Sequence, residues 1–92
     1  MIKSVAVVTG ASQGIGRATA IRLARDFSAV VLAARNAGEL QETAAAVKSA
    51  GAEPLVRDLD LRQPAAAESL IKDALASFGR IDALLIVNMG EF

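Results

Sequence analysis

The sequence has no cysteine, no histidine, no tyrosine and no tryptophan. Without thiols or imidazoles there can be no disulfide, no thiolate nucleophile, no imidazole base and none of the usual zinc ligands, which leaves only carboxylates for a hard metal. Metal-centred and histidine-based catalysis are therefore excluded as expectations. A surplus of one charge is missing too: ten Lys plus Arg face ten Asp plus Glu, and no stretch carries five like charges in a row. Neither nucleic acid nor an anionic membrane is expected as a partner. The longest apolar runs, Ala29–Ala34 and Ala83–Val87, are six and five residues, against the roughly 18 that a bilayer span requires. Lys3 precedes only Val5–Val8 before Thr9 and Gly10, too short for the apolar core of a secretory signal, so a cytoplasmic location is expected.

What is present is aliphatic. Hydrophobic residues make up 53% of the 92, and twenty of them are Ala, with only three Phe. Val, Leu and Ile must then build the core while helices pack closely on Ala, a composition of helix on sheet, and the length allows one domain over residues 1–92. Val5–Thr9 is a β-branched run ended by Gly10, which predicts a strand buried on both faces. Gly16, Ala20, Leu23, Ala24 and Phe27 then recur at helical spacing. Val30–Ala34 predicts a second strand, and Asn36 with Glu39 predicts a capping box opening a second helix whose stripe is Leu40, Ala44 and Val47, with Gly51 just past its end. Pro54–Leu59 predicts a third strand. Pro64 opens a third helix with Ala67, Leu70, Ile71, Ala74 and Phe78 inward and Gly79 as its stop, and Ala83–Val87 predicts a fourth strand. Strands and helices thus alternate β-α-β-α-β-α-β, the pattern of a parallel α/β sheet with right-handed crossovers.

Gly10, Gly14 and Gly16 fall between the first strand and the first helix, where backbone N–H groups and the helix dipole favour a phosphate. A nucleoside triphosphate loop would need Gly five positions after Gly10 and then Lys; Ile15 and Gly16 stand there instead. The spacing G-x-G-x-x-G fails as well, since Thr19 follows Gly16 by three. The spacing present is G-x-x-x-G-x-G.

Thr9-Gly10-Ala11-Ser12-Gln13-Gly14-Ile15-Gly16 resembles the cofactor motif of the short-chain dehydrogenase/reductase family, in its single-domain branch. The resemblance implies a Rossmann-type three-layer fold, with a parallel sheet of about four strands in the order 3-2-1-4 and helices on both faces. It implies a nicotinamide dinucleotide bound by Gly10, Ser12, Gln13, Gly14, Ile15 and Gly16, with the pyrophosphate on the Gly14–Gly16 backbone. Ala34 stands where NAD-preferring members carry Asp, and Arg35 comes next. A guanidinium there can grip a 2′-phosphate, so NADP(H) is favoured over NAD(H). Gln13, where many NADP-preferring relatives carry a base, argues the other way. Asp60, eighteen residues before Phe78, resembles the family aspartate that accepts from the adenine amino group, with Leu61 beside it; Asp58 is the competitor, and both are also read as exposed turn acids.

After the fourth strand the family pattern Asn-Asn-Ala-Gly is replaced by Val87-Asn88-Met89-Gly90, with one residue more than usual after Asp82. Asn88 and Gly90 are expected to keep the family roles of tying the sheet and letting the ribose approach, while Met89 would crowd the nicotinamide side. The similarity covers the N-terminal half or less of a complete member. The family's proton transfer uses a Tyr-x-x-x-Lys pair and a Ser; with no Tyr, no catalytic residue is assigned, and the chain alone is expected to be inactive. A fourth strand with no fifth beside it leaves an uncharged apolar edge, so a homo-oligomer through that edge is expected, unless residues 89–92 cover it. The alternative function is a non-catalytic binding or assembly module using the same edge. A receiver-like or flavodoxin-like reading has no acidic cluster or phosphate loop to support it.

Overall fold

In the computed structural model, which describes residues 2–11 and 14–86, four strands alternate with three helices. They are β1 (Val5–Thr9), α1 (Gly14–Leu23), β2 (Ala29–Ala34), α2 (Ala37–Ser49), β3 (Glu53–Asp58), α3 (Pro64–Phe78) and β4 (Ala83–Leu85). The sheet is parallel in the order β3-β2-β1-β4, the Rossmann-type arrangement the resemblance implied. Val5 pairs with Ala29, Ala6 with Ala83 and Ala29 with Glu53.

Alternation along the central strands divides the core in two. Val8, Val30 and Leu32 pack with Ala20, Ala24, Leu40, Ala44 and Val47 of the α1 and α2 side. Val5, Val7, Val31 and Ala33 pack with Leu70 and Ala74 of α3 on the other face. Every residue of β1 is buried, and each fully buried Val or Leu contributes about 1.5 to 3 kcal/mol. That is why β1 and β2 read as continuous apolar runs rather than alternating ones.

The helix ends follow their local chemistry. Asn36 caps α2, its Oδ1 accepting from the Glu39 N–H at 2.9 Å, the Asn half of the expected capping box. Gly79 ends α3 in the left-handed region at φ 79°, its N–H donating to the Leu75 carbonyl at 2.8 Å. Helix α1 stops at Leu23, short of Phe27, where the bonding tightens to three-residue spacing, Arg25 N–H donating to the Arg22 carbonyl and Asp26 N–H to the Leu23 carbonyl.

Strand β2 begins at Ala29, one residue earlier than expected, and three further boundaries or faces depart from expectation. Strand β3 begins at Glu53 and ends at Asp58 rather than running from Pro54 to Leu59, since Glu53 N–H bonds the Ser28 carbonyl and its residue pairs with Ala29. Of the expected Ala83–Val87, Ala83–Leu85 forms strand and Ile86 does not, while Val87 lies outside the described residues. In α3, Leu70 and Ala74 are buried, but Ala67 is exposed and Ile71 and Phe78 are half-buried. Among the described residues β4 is the last strand on that side, so the sheet beneath α3 is too narrow to cover the helix's whole apolar stripe. Thr9, Leu61, Ala67, Leu70, Ile71, Leu84 and Ile86 consequently line an open apolar groove.

Candidate functional site

The site forms at the C-terminal ends of β1, β2 and β3, where a parallel sheet brings its loops together. Gly10 follows β1 directly with φ 64°, and Gly14 opens α1 with φ 60°. Gly16, one turn into α1, has ordinary backbone angles but no room: a β-carbon there would fall 1.8 Å from the Gly10 oxygen and 2.6 Å from its carbon. The missing side chain lets the helix start press against the turn. The first turn of α1 carries no acidic residue, so its positive end is not neutralised from within. Ile15 projects outward, 76% exposed.

Ala11 is fixed from both sides. Its N–H donates to the Ala33 carbonyl of β2 at 3.2 Å, and its carbonyl accepts from the buried Thr43 hydroxyl of α2 at 2.8 Å. Ser12 and Gln13, expected to contribute to this turn, lie outside the described residues.

The second part of the site lies at the ends of β2 and β3. Ala34 closes β2 and is paired with Asp58 at the end of β3. Arg35 follows, half-exposed, with Nη1 4.0 Å from Asp60 Oδ2. The structure thus brings Arg35 and Asp60 together from positions 25 apart, while Asp58 is an exposed strand-end acid. Arg62 holds Asp60 through three hydrogen bonds: its backbone N–H and Nε donate to Oδ1, each at 3.0 Å, and Nη2 donates to Oδ2 at 3.1 Å. These bonds, with a smaller pull from the Arg35 charge, lower the Asp60 carboxyl to about 2. Leu61 turns the other way, half-buried against the α3 core. Asn88 and Gly90 lie outside the described residues.

Sequence reasoning missed Thr43, Arg17 and Arg62. Thr43 did leave a signal, being the one polar residue in the stripe Leu40, Thr43, Ala44 and Val47, all of it buried. Arg17 and Arg62 left none. Chemically, the turn offers backbone and a helix start for an anion, and the Arg35–Asp60–Arg62 cluster offers cations and a carboxylate for polar recognition. Among the described residues no group of three or more Asp or Glu could hold a metal ion, and no helix is long and apolar enough to cross a membrane.

A doubly wound parallel sheet with a glycine turn at the start of its first helix defines a nucleotide-binding class of protein. Comparison with known proteins narrows the class. The family model for short chain dehydrogenases matches residues 4–91, and the chain belongs to that family. It is 42% identical over 86 residues to 1,6-dihydroxycyclohexa-2,4-diene-1-carboxylate dehydrogenase of Acinetobacter baylyi, covering 94% of this chain and 32% of that protein. Among solved structures it is similar to a metagenomic short-chain oxidoreductase in complex with NADP, at TM-score 0.82 and 40% identity, covering 88% of this chain and 37% of the other. It is also similar to NAD+-bound xylitol dehydrogenase, at TM-score 0.83 and 34% identity, covering 88% and 31%. The chain spans about a third of the length of the relatives it matches.

Proposed function

We propose that these residues bind a nicotinamide dinucleotide, with NADP(H) preferred over NAD(H). The single observation that carries the reading is the close approach of Gly16 to the Gly10 carbonyl, which leaves no room for a β-carbon and presses the start of α1 against the turn; Arg35 and Asp60 meet at the ends of the neighbouring strands β2 and β3. The Gly14, Ile15 and Gly16 backbone would hold the pyrophosphate, with Gly10 and Gln13 in the same turn, and Ser12 would join Arg35 at the ribose phosphate. Arg35 would hold a 2′-phosphate, with no carboxylate at Ala34 to repel it. Asp60 would accept from the adenine amino group, its ionised state maintained by Arg62, with Leu61 at its side. Asn88 and Gly90 would line the ribose beyond β4. The cofactor would supply hydride transfer, and we place this chain as the binding part of a cytoplasmic oxidoreductase acting on a carbonyl or alcohol. These 92 residues contain no Tyr or His to which that reaction's proton could be given.

Similar solved structures support a dinucleotide, some carrying NADP and others NAD, so the preference rests on Ala34 and Arg35 alone. Calorimetric titration of the 92-residue chain with NADPH and then NADH tests it. Saturable binding with NADPH the tighter is expected; equal binding would overturn the preference, and no binding of either would overturn the function.

We further propose that β4 pairs with a second copy of this chain. The sheet's two edges differ: β3 carries Glu53, Pro54, Arg57 and Asp58, which blunt an edge, whereas Ala83–Leu85 carries no charge, with Leu84 49% exposed and neighbouring Ile86 76% exposed. Equilibrium sedimentation at micromolar concentration should show a dimer or larger species; a monomer alone would refute the pairing.

A further inference from the structure

Thr43 is fully buried in α2, on a stripe that is otherwise apolar. Valine would match its shape there, so packing alone does not account for the hydroxyl. That hydroxyl is used twice across long stretches of chain. It donates to the Ala11 carbonyl at 2.8 Å and accepts from Arg17 Nε of α1 at 2.9 Å. Glu39's carbonyl, one turn back in the same helix, lies farther off at 3.3 Å, so the single hydroxyl proton is directed at Ala11. Arg17 is held in turn by its Nη2, which donates to the Glu39 carbonyl at 3.1 Å, and by Nη1, 3.6 Å from Glu42 Oε1.

We propose that Thr43 and Arg17 form a strut that presets the glycine turn for the dinucleotide's pyrophosphate. Three separate parts of the site meet in it. Ala11 belongs to the turn, Arg17 to the helix that begins with Gly14 and Gly16, and Thr43 to the helix that Arg35 and Asn36 lead into. With its N–H held by Ala33 and its carbonyl by Thr43, the Ala11 backbone is ordered before any ligand arrives, which removes that ordering cost from binding. A guanidinium that spans Thr43 and Glu39 while belonging to α1 fixes the two helices against each other. Both residues act through the turn and are positioning residues. Since NADH and NADPH share the pyrophosphate, the strut acts on both alike, whereas Arg35 separates them. The inference rests on the dinucleotide reading above.

The test uses the 92-residue chain with Thr43→Val, which keeps shape and loses the hydroxyl, Thr43→Ser, which restores it, and Arg17→Met. NADH and NADPH are each titrated by calorimetry, and backbone hydrogen exchange over Gly10–Arg17 is measured without ligand. Thr43→Val is expected to weaken both dinucleotides by a common factor of about ten, the worth of one well-placed hydrogen bond, and Thr43→Ser to recover most of it. Exchange over the turn is expected to speed up in Thr43→Val and in Arg17→Met, and to stay near wild type in Thr43→Ser. Should Thr43→Val not fold, Arg17→Met, changed at a side chain already 31% exposed, carries the same expectation. Unchanged exchange, unchanged affinity, or equal losses in the Val and Ser variants would overturn the strut. Wild-type chain that binds neither dinucleotide would overturn the dinucleotide reading instead, and the exchange result would still decide whether the turn is held.

Discussion

Gly16 faces the carbonyl of Gly10 so closely that a β-carbon on it would fall 1.8 Å from that oxygen. The contact is with backbone, so no rotamer change can relieve it. Gly14 differs: its β-carbon would meet nothing within 4 Å, but its φ of 60° lies in the left-handed region. One glycine is there for space and the other for conformation. Gly16→Ala should therefore push α1 off the turn, costing about 1 to 3 kcal/mol of stability and abolishing dinucleotide binding. Gly14→Ala should cost about 1 to 2 kcal/mol and leave binding weakened but measurable. Thermal unfolding paired with titration separates the two; equal losses of binding would show that space at Gly16 is not what matters.

Ala34 and Arg35 allow a sharper test of cofactor choice than truncating Arg35. Placing a carboxylate at the end of β2 puts a negative charge beside the place argued for the 2′-phosphate, and beside Asp58, with which Ala34 is paired. Ala34→Asp should weaken NADPH by at least about tenfold, 1.4 kcal/mol, and leave NADH unchanged or tighter. Raising the salt should shrink the difference, because the site is open to solvent. A variant that lost both dinucleotides equally would place the 2′-phosphate elsewhere.

How much of this was legible in the sequence depends on whether the signal is local. Strands β1 and β2 read directly, because burial on both faces demands an unbroken apolar run. The turn read directly from the spacing of Gly10, Gly14 and Gly16. Strand β3 was blurred by Arg57 and Asp58, which an edge strand can carry: Arg57 Nε reaches sideways to Asp73 Oδ2 of α3 at 2.8 Å. Periodicity gave the right stripe in α3 but not how much of it the sheet covers, since Ala67 and Ile71 depend on what lies beyond β4. The Thr43–Ala11 and Arg17–Thr43 bonds span 32 and 26 residues and exist only because α1 and α2 lie side by side. No local pattern encodes them. Arg62 hid for another reason, since an arginine two residues after an aspartate is common and only the geometry shows that it grips both oxygens.

That grip has a measurable consequence at Asp60. The hydrogen bonds from Arg62 stabilise the carboxylate and hold its titration at about 2, below the ordinary 3.8. Arg62→Gln removes the guanidinium and keeps the backbone N–H bond, so the Asp60 midpoint should rise most of the way back. The residual lowering should come from the Arg62 position's N–H and from Arg35. Carbon-13 titration of the Asp60 carboxyl reads this directly, and an unmoved midpoint would show that Arg62 does not hold the acid in solution.

Asp82 ties β4 to β1 at the opposite end of the sheet. Its Oδ2 accepts from the Val5 N–H at 2.7 Å and its own N–H donates to the Val5 carbonyl at 2.8 Å, so one residue closes the start of the β1 and β4 pairing from both sides. Arg80 adds two more bonds to the carboxylate, at 2.9 Å through Nε and through Nη2 at 2.6 Å. Arg80 first, then the Val5 N–H, lower the Asp82 carboxyl below its ordinary 3.8. A depressed acid contributes stability that is complete above the unfolded value and drains away as pH falls toward the folded one. The protein should therefore lose stability on acidification from about pH 4 downward. Asp82→Asn keeps an oxygen for the Val5 N–H and drops the charge that Arg80 pairs with. It should be less stable than wild type at pH 7, and the gap should narrow as pH falls below 4, because protonation removes from the wild type what the variant already lacks. Thermal midpoints taken from pH 7 to pH 2 would show the two curves converging; parallel curves would mean that the Asp82 charge contributes nothing to the fold.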